Sequence, residues 1–98
     1  MQQPKYSVVL PVLNGAETLH TTLGHLLSID YSNFEIVVSD NLSNDGTDKI
    51  LAEFGDPRLK VVRPSSRLTW SENLAFAYSH ANGLWQHHIG DDDVIMPS

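Results

Sequence analysis

Apolar and polar positions along this chain fall into a regular order. Tyr6 to Leu13 is an almost unbroken apolar run, as expected for a strand buried on both faces of a parallel sheet. Asn14-Gly15 ends it. Leu19, Leu23, Leu26 and Leu27 follow at helical spacing, which predicts a helix from about Gly15 to Ser28. Asn14, with Glu17 three residues on, reads as its N-cap and capping-box partner. Asp30-Tyr31-Ser32-Asn33 is the turn out. A second strand is expected over Phe34 to Ser39, stopping at Asp40. The polar loop Asn41-Leu42-Ser43-Asn44 then leads to Asp45-Gly46-Thr47-Asp48. Ile50, Leu51 and Phe54 mark a short helix, with Gly55 as its stop. Leu59 to Val62 reads as a third strand and Arg63 to Arg67 as a polar connection. Thr69 with Glu72 repeats the capping-box pattern. Leu74, Ala77, Tyr78 and Ala81 line one face of the helix that follows, and Gly83 ends it. Leu84 to Ile89 is the fourth strand, and it runs into Gly90-Asp91-Asp92-Asp93.

Strands alternating with helices predict an α/β fold, a Rossmann-like three-layer αβα arrangement with a mainly parallel sheet. Right-handed crossovers and the common doubly wound pattern give the strand order 3-2-1-4. Ligands in such sheets bind beyond the carboxyl ends of the strands, near the point where the order reverses. Asn14, Asp40 and Asp92 should therefore share one rim.

Ninety-eight residues make one small domain, taken here as residues 1–98. No apolar run is long enough for a transmembrane segment, and the opening residues lack the pattern of a signal peptide. No cysteine is present, which excludes thiolate metal sites and disulfides. These features point to a cytoplasmic location, peripheral at the inner membrane in a longer protein. The formal net charge of −6 argues against nucleic acid as a partner. It also means that an anionic ligand would need a cation to mediate its binding.

Asp91, Asp92 and Asp93 supply a place for that cation. Adjacent carboxylates repel one another and resist ionisation together, and a hard cation such as Mn²⁺ or Mg²⁺ removes that cost. The competing reading is a solvated surface turn. Asn41-x-Ser43-x-Asp45-Gly46 hints at a calcium loop, but Ala52 stands where that loop needs a glutamate. His87 and His88, adjacent on a strand, point to opposite faces. His20 and His25, five apart on a helix, miss a shared face. All four read as structural or surface histidines. Trp70 and Trp85 read as core or edge packing rather than stacking platforms.

Three blocks together resemble family 2 of the nucleotide-sugar glycosyltransferases, with the GT-A fold. Ser7 to Asn14 is similar to the opening strand, usually a run ending in Pro-x-Tyr-Asn. Val37 to Thr47 resembles the block often written Val-Asp-Asp-Gly-Ser-x-Asp-Gly-Thr. Gly90 to Pro97 resembles the DxD block and its following proline. The resemblance implies a nucleotide-sugar donor, a UDP-sugar, a divalent metal, Mn²⁺ or Mg²⁺, and inverting transfer to an acceptor hydroxyl on an unspecified glycan, lipid or protein. It implies that Pro11, Leu13 and Glu17 sit where the nucleobase pocket begins, with Asn14 beside them as a donor-binding residue. It implies that Asp40 accepts a hydrogen bond from the base and that Asp45 is the family acid of the next loop, where it also makes sense as a helix cap. It implies that Asp91 lies near the ribose or the metal shell. By the same resemblance Asp92 is expected to be the acid placed most directly on the metal, with Asp93 beside it. Leu13 stands where an aromatic is usual, and Asn41 where the second acid of the Asp-Asp pair stands. Gly90 takes the place of the first acid of the DxD, and Glu72 that of an arginine that often precedes the asparagine. Arg63 or Arg67 could supply a phosphate contact instead. Members of the family continue well beyond the metal motif, so the chain resembles a truncated, donor-binding half, inactive alone, with its catalytic base expected beyond Ser98.

Two other readings compete. One is a non-catalytic nucleotide-sugar-binding module. The other is a receiver-like phosphoacceptor domain, which needs acids just after strand 1 and a late lysine. Here Pro11-Val12-Leu13-Asn14 occupies the first place, and Lys60 is the last lysine.

Overall fold

The computed structural model describes residues 6–29 and 33–89. Four strands, β1 (Tyr6–Val12), β2 (Phe34–Asp40), β3 (Leu59–Val62) and β4 (Trp85–His88), alternate with three helices, α1 (Ala16–Leu27), α2 (Thr47–Glu53) and α3 (Trp70–Ser79). The strands form one sheet in the order β3-β2-β1-β4, and every neighbouring pair is parallel. The expected three-layer α/β architecture and strand order are therefore present.

The two faces of the sheet differ. Even-numbered side chains of the central strands, Leu10 and Val12 on β1 and Phe34, Ile36 and Val38 on β2, join Leu19, Leu23 and Leu26 of α1 and Leu51 of α2 in the main core. The opposite face buries Val9, Val37 and Ala77. It also buries polar groups, Ser7, Ser39 and Asn73. These polar groups are bonded inside the fold. The Ser39 hydroxyl donates to Asn73 Oδ1 at 2.6 Å, and Asn73 Nδ2 donates to the Ser39 carbonyl at 3.1 Å. That reciprocal pair ties α3 to β2.

Pro11 sits in a central strand without breaking the ladder. The Val12 carbonyl accepts from Asn41 on the β2 side, and the Val9 carbonyl accepts from Ile89 on the β4 side. Parallel strands alternate their bonding sides, so Pro11, two on from Val9, faces the β4 side. It lies past the last described pair, Val9 with His88, so the N–H it lacks removes none of the described strand pairs.

Several boundaries differ from the sequence expectation. β1 stops at Val12 rather than Leu13, because Asn14 takes a left-handed backbone with φ 54 and turns the chain. β4 is shorter than Leu84 to Ile89. The capping box expected at α1 does not form: Gly15 is the N-cap and no side chain caps it from that position. The same signature at α3 does form, with Thr69 and Glu72 bonded in both directions. Trp70 and Trp85 are not core residues; they are 59% and 63% exposed. Within the described sheet β4 lies at the edge, beside β1, one of the two placements expected for Trp85.

Candidate functional site

The carboxyl ends of β1 and β2 meet the β3–α3 connection in one bonded rim. Asn14 places its side chain across the rim rather than on its own helix. Its Oδ1 accepts from Asn44 N at 2.9 Å, while its own N–H donates to Ser43 Oγ at 2.8 Å. An asparagine tolerates φ > 0 and readily bonds backbone outside a helix, which is why the α1 cap is lost. Asp45 takes over that task from the other loop. Its Oδ2 accepts from Ala16 N at 3.0 Å, and its Oδ1 accepts from Thr47 N at 3.1 Å and from the Thr47 hydroxyl. One carboxylate thus serves the first turns of α1 and α2, where a negative charge is favoured. The Thr47 hydroxyl bond, reinforced by the Ala16 and Thr47 amides, holds the Asp45 carboxyl below its ordinary 3.8. Its folded value is depressed, so its contribution to stability is present above 3.8 and is lost as pH falls through the folded value.

Asp40 is 1% exposed. Its Oδ1 accepts from Ser43 N at 3.1 Å, which closes a tight turn together with the bond from Leu42 N to the Asp40 carbonyl at 2.8 Å. Its Oδ2 meets Arg63 Nε at 3.3 Å, and the arginine is 43% exposed. Arg67 donates to the Leu42 carbonyl at 2.7 Å. Both arginines thus reach back to the β2 loop.

Asn41 grips the far wall. Its Nδ2 donates to the Leu68 carbonyl at 2.7 Å, and its Oδ1 accepts from Leu68 N at 2.8 Å. Only an amide can do both, because an ionised carboxylate has no donor. This is a physical reason for Asn41 where the resembling block has a second acid. Leu42 follows at φ 58, a left-handed conformation for a residue with a side chain. The resembling block carries glycine at that position.

Between these segments lies an open cleft lined by Pro11, Val12, Leu13, Asn41, Leu68, Trp70 and Asn73. Pro11, Leu13, Asn14 and Asp40 of the sequence-selected residues all stand on this rim, with Pro11 and Leu13 in the cleft wall. Glu17 is exposed on the first turn of α1. Asp91, Asp92 and Asp93 lie outside the described residues. Among the described residues no group of three or more histidines, cysteines or acids could hold a metal ion. Sequence reasoning missed Asn41, Leu68 and Trp70 as parts of the site. The signal available for Trp70 was its place directly after a capping threonine, at the opening of a helix that starts on the ligand-side rim.

Comparisons with known proteins agree with this geometry. The model of glycosyl transferase family 2 matches residues 7–98. The putative glycosyltransferase EpsE of Bacillus subtilis (strain 168) is 29% identical over 97 residues, covering 96% of this chain and 35% of that protein. S. aureus TarS 1-349 in complex with UDP superposes with a TM-score of 0.82 at 27% identity, over 92% of this chain and 28% of that one. The mannosyltransferase PcManGT from Pyrobaculum calidifontis, in complex with GDP-Man and Mn²⁺, has a TM-score of 0.84 at 26% identity, over 96% of this chain and 29% of that one. The chain spans about a third of the length of the curated relatives it matches. Among the described residues, no helix is long and apolar enough to cross a membrane.

Proposed function

The chain belongs to glycosyl transferase family 2, and on that footing we propose that residues 1–98 form the donor-binding part of a GT-A enzyme that transfers a sugar from a nucleoside diphosphate to an acceptor hydroxyl with inversion. The observation that carries the proposal is the convergence of Leu13, Asn41, Leu68 and Trp70 around one open cleft at the carboxyl ends of the strands. The cleft lies on the rim where doubly wound sheets take their ligands.

In this reading Pro11 and Leu13 form one wall for the base, with Asn14 and Glu17 at the entrance to α1. Asp40 Oδ2 is the oxygen assigned to a base N–H. Its contact with Arg63 is long and its partner is partly solvated, so the two can exchange. Oδ1 stays committed to the turn. Arg63, once released, is a cation on the same rim that can approach a phosphate. Asp91, Asp92 and Asp93 are assigned to the ribose and to a divalent metal, Mn²⁺ or Mg²⁺. Bound there, the metal would neutralise the diphosphate of the departing nucleotide. UDP is the donor nucleotide we favour, because Asp40 offers a single acceptor to the base. The general base that deprotonates the acceptor is assigned to segments outside residues 1–98, and transfer by this chain alone is expected to be undetectable.

Calorimetric titration with UDP and with GDP, each with and without Mn²⁺, tests the proposal. Binding should be measurable with the metal and much weaker without it, since a chain of net charge −6 repels a diphosphate. Equal binding in both conditions would remove the metal from the reading. Absence of binding in all four would remove the donor site.

A further inference from the structure

We propose that Trp70 is the stacking platform for the nucleobase of the donor, an inference that rests on the donor-site reading above. Trp70 opens α3 and lines the same cleft as Pro11 and Leu13. Its side chain is 59% exposed. Its described ring contact is with His88, at 5.4 Å between centroids and 70° between planes. That edge contact fixes the tilt of the indole without covering it. An indole left this open forgoes much of the stabilisation that burial would give, which is understandable if a planar ligand completes the contact.

The platform is also held in advance. The capping box fixes Thr69, the residue before it. The Asn41 amide grips Leu68 on both its N–H and its carbonyl. An aromatic surface fixed before binding loses little entropy when the ligand arrives. The opposite wall offers Leu13 where the resembling family usually has an aromatic, so the stacking surface has moved across the cleft from β1 to α3. Every base has a π-face, and such stacking tolerates both uracil and guanine.

The test uses the full chain with Trp85→Phe, which leaves Trp70 as the one remaining tryptophan. Its fluorescence is followed during titration with UDP, GDP and inorganic pyrophosphate in the presence of Mg²⁺. Saturable quenching by UDP or GDP is expected. Trp70→Ala should then weaken nucleotide binding, followed by calorimetry, roughly ten- to a hundredfold. Trp70→Phe should retain most of the affinity, and pyrophosphate should bind both variants as it binds the parent. If the parent binds UDP or GDP and Trp70→Ala binds it equally well, the stacking role falls while the donor site stands. If pyrophosphate loses as much as the nucleotides, Trp70 does not act on the base and the inference is overturned. If the parent binds no nucleotide, the donor-site reading falls and this inference with it.

Discussion

β2 and β4 belong to the same parallel sheet, yet they carry opposite obligations. β2 lies between β1 and β3, and six of its seven residues are buried. Its polar end, Ser39 and Asp40, and the following Asn41 are all nearly inaccessible, and each is bonded to another segment. β4 has β1 as its neighbour within the described sheet, and all four of its residues are exposed. Its tryptophan and histidines therefore carry little of the described fold. Burial turns a polar side chain into a structural commitment, because a buried group without a partner costs more than the bond itself contributes. The rim at the end of β2 has to be built correctly before it can bind anything, whereas the β4 edge does not.

This contrast should appear in stability measurements. Asn41→Asp has the largest expected effect. It replaces the donor facing the Leu68 carbonyl with a second acceptor and buries a charge, which should cost about 2–3 kcal/mol in chemical denaturation. A change below about 0.5 kcal/mol, the usual scale for surface substitutions, would show that the clamp on Leu68 carries no weight. Leu42→Gly should act in the other direction. Leu42 is 38% exposed at φ 58, so relief of a left-handed strain of about 1–2 kcal/mol outweighs glycine's entropy cost of about 0.5–1 kcal/mol. A net gain of about 0.5–1 kcal/mol is expected, read as a raised denaturation midpoint. An unchanged or lowered midpoint would mean that Leu42 makes contacts worth the strain. Trp85→Ser, on the exposed edge, should shift stability by no more than about 0.5 kcal/mol. A loss comparable to that of Asn41→Asp would erase the distinction between the two strands.

Much of the fold was legible because its signals are periodic. Apolar runs of strand length alternate with leucines at helical spacing, and that alternation leads to a parallel sheet, whose strand order then follows from right-handed crossovers and the common doubly wound pattern. The misread places share one cause, a partner distant in sequence. Asn14 and Glu17 carry the same local signature as Thr69 and Glu72, but Asn14 bonds Asn44, thirty positions away, and Asp45 caps α1 from the same loop. Nothing within a few residues of Asn14 reveals that competition. Trp85 lies at the edge of the described sheet, one of the two placements expected for it, and its exposure belongs to the sheet and not to the strand's own pattern. The Asn41 grip on Leu68 was invisible for the same reason. In the candidate site, Pro11, Leu13, Asn14 and Asp40 were found from strand ends and from the family resemblance, and the residues of the opposite wall were not.

The central claim is that the donor binds on the rim at the carboxyl ends of the strands, against β1, β2 and α3, and not at the opposite ends of the strands. Amide and indole ¹H–¹⁵N spectra of the chain titrated with UDP and Mg²⁺ test it most directly. The account predicts that the signals of Leu13, Asn41, Leu42, Leu68 and the Trp70 indole move together and saturate. The Trp85 indole and the amides of Asn82 and Gly83, which bond Glu35 and Ser7 near the start of the sheet, should stay in place. Shifts concentrated at Trp85, Asn82 or Gly83, with the rim unmoved, would contradict it.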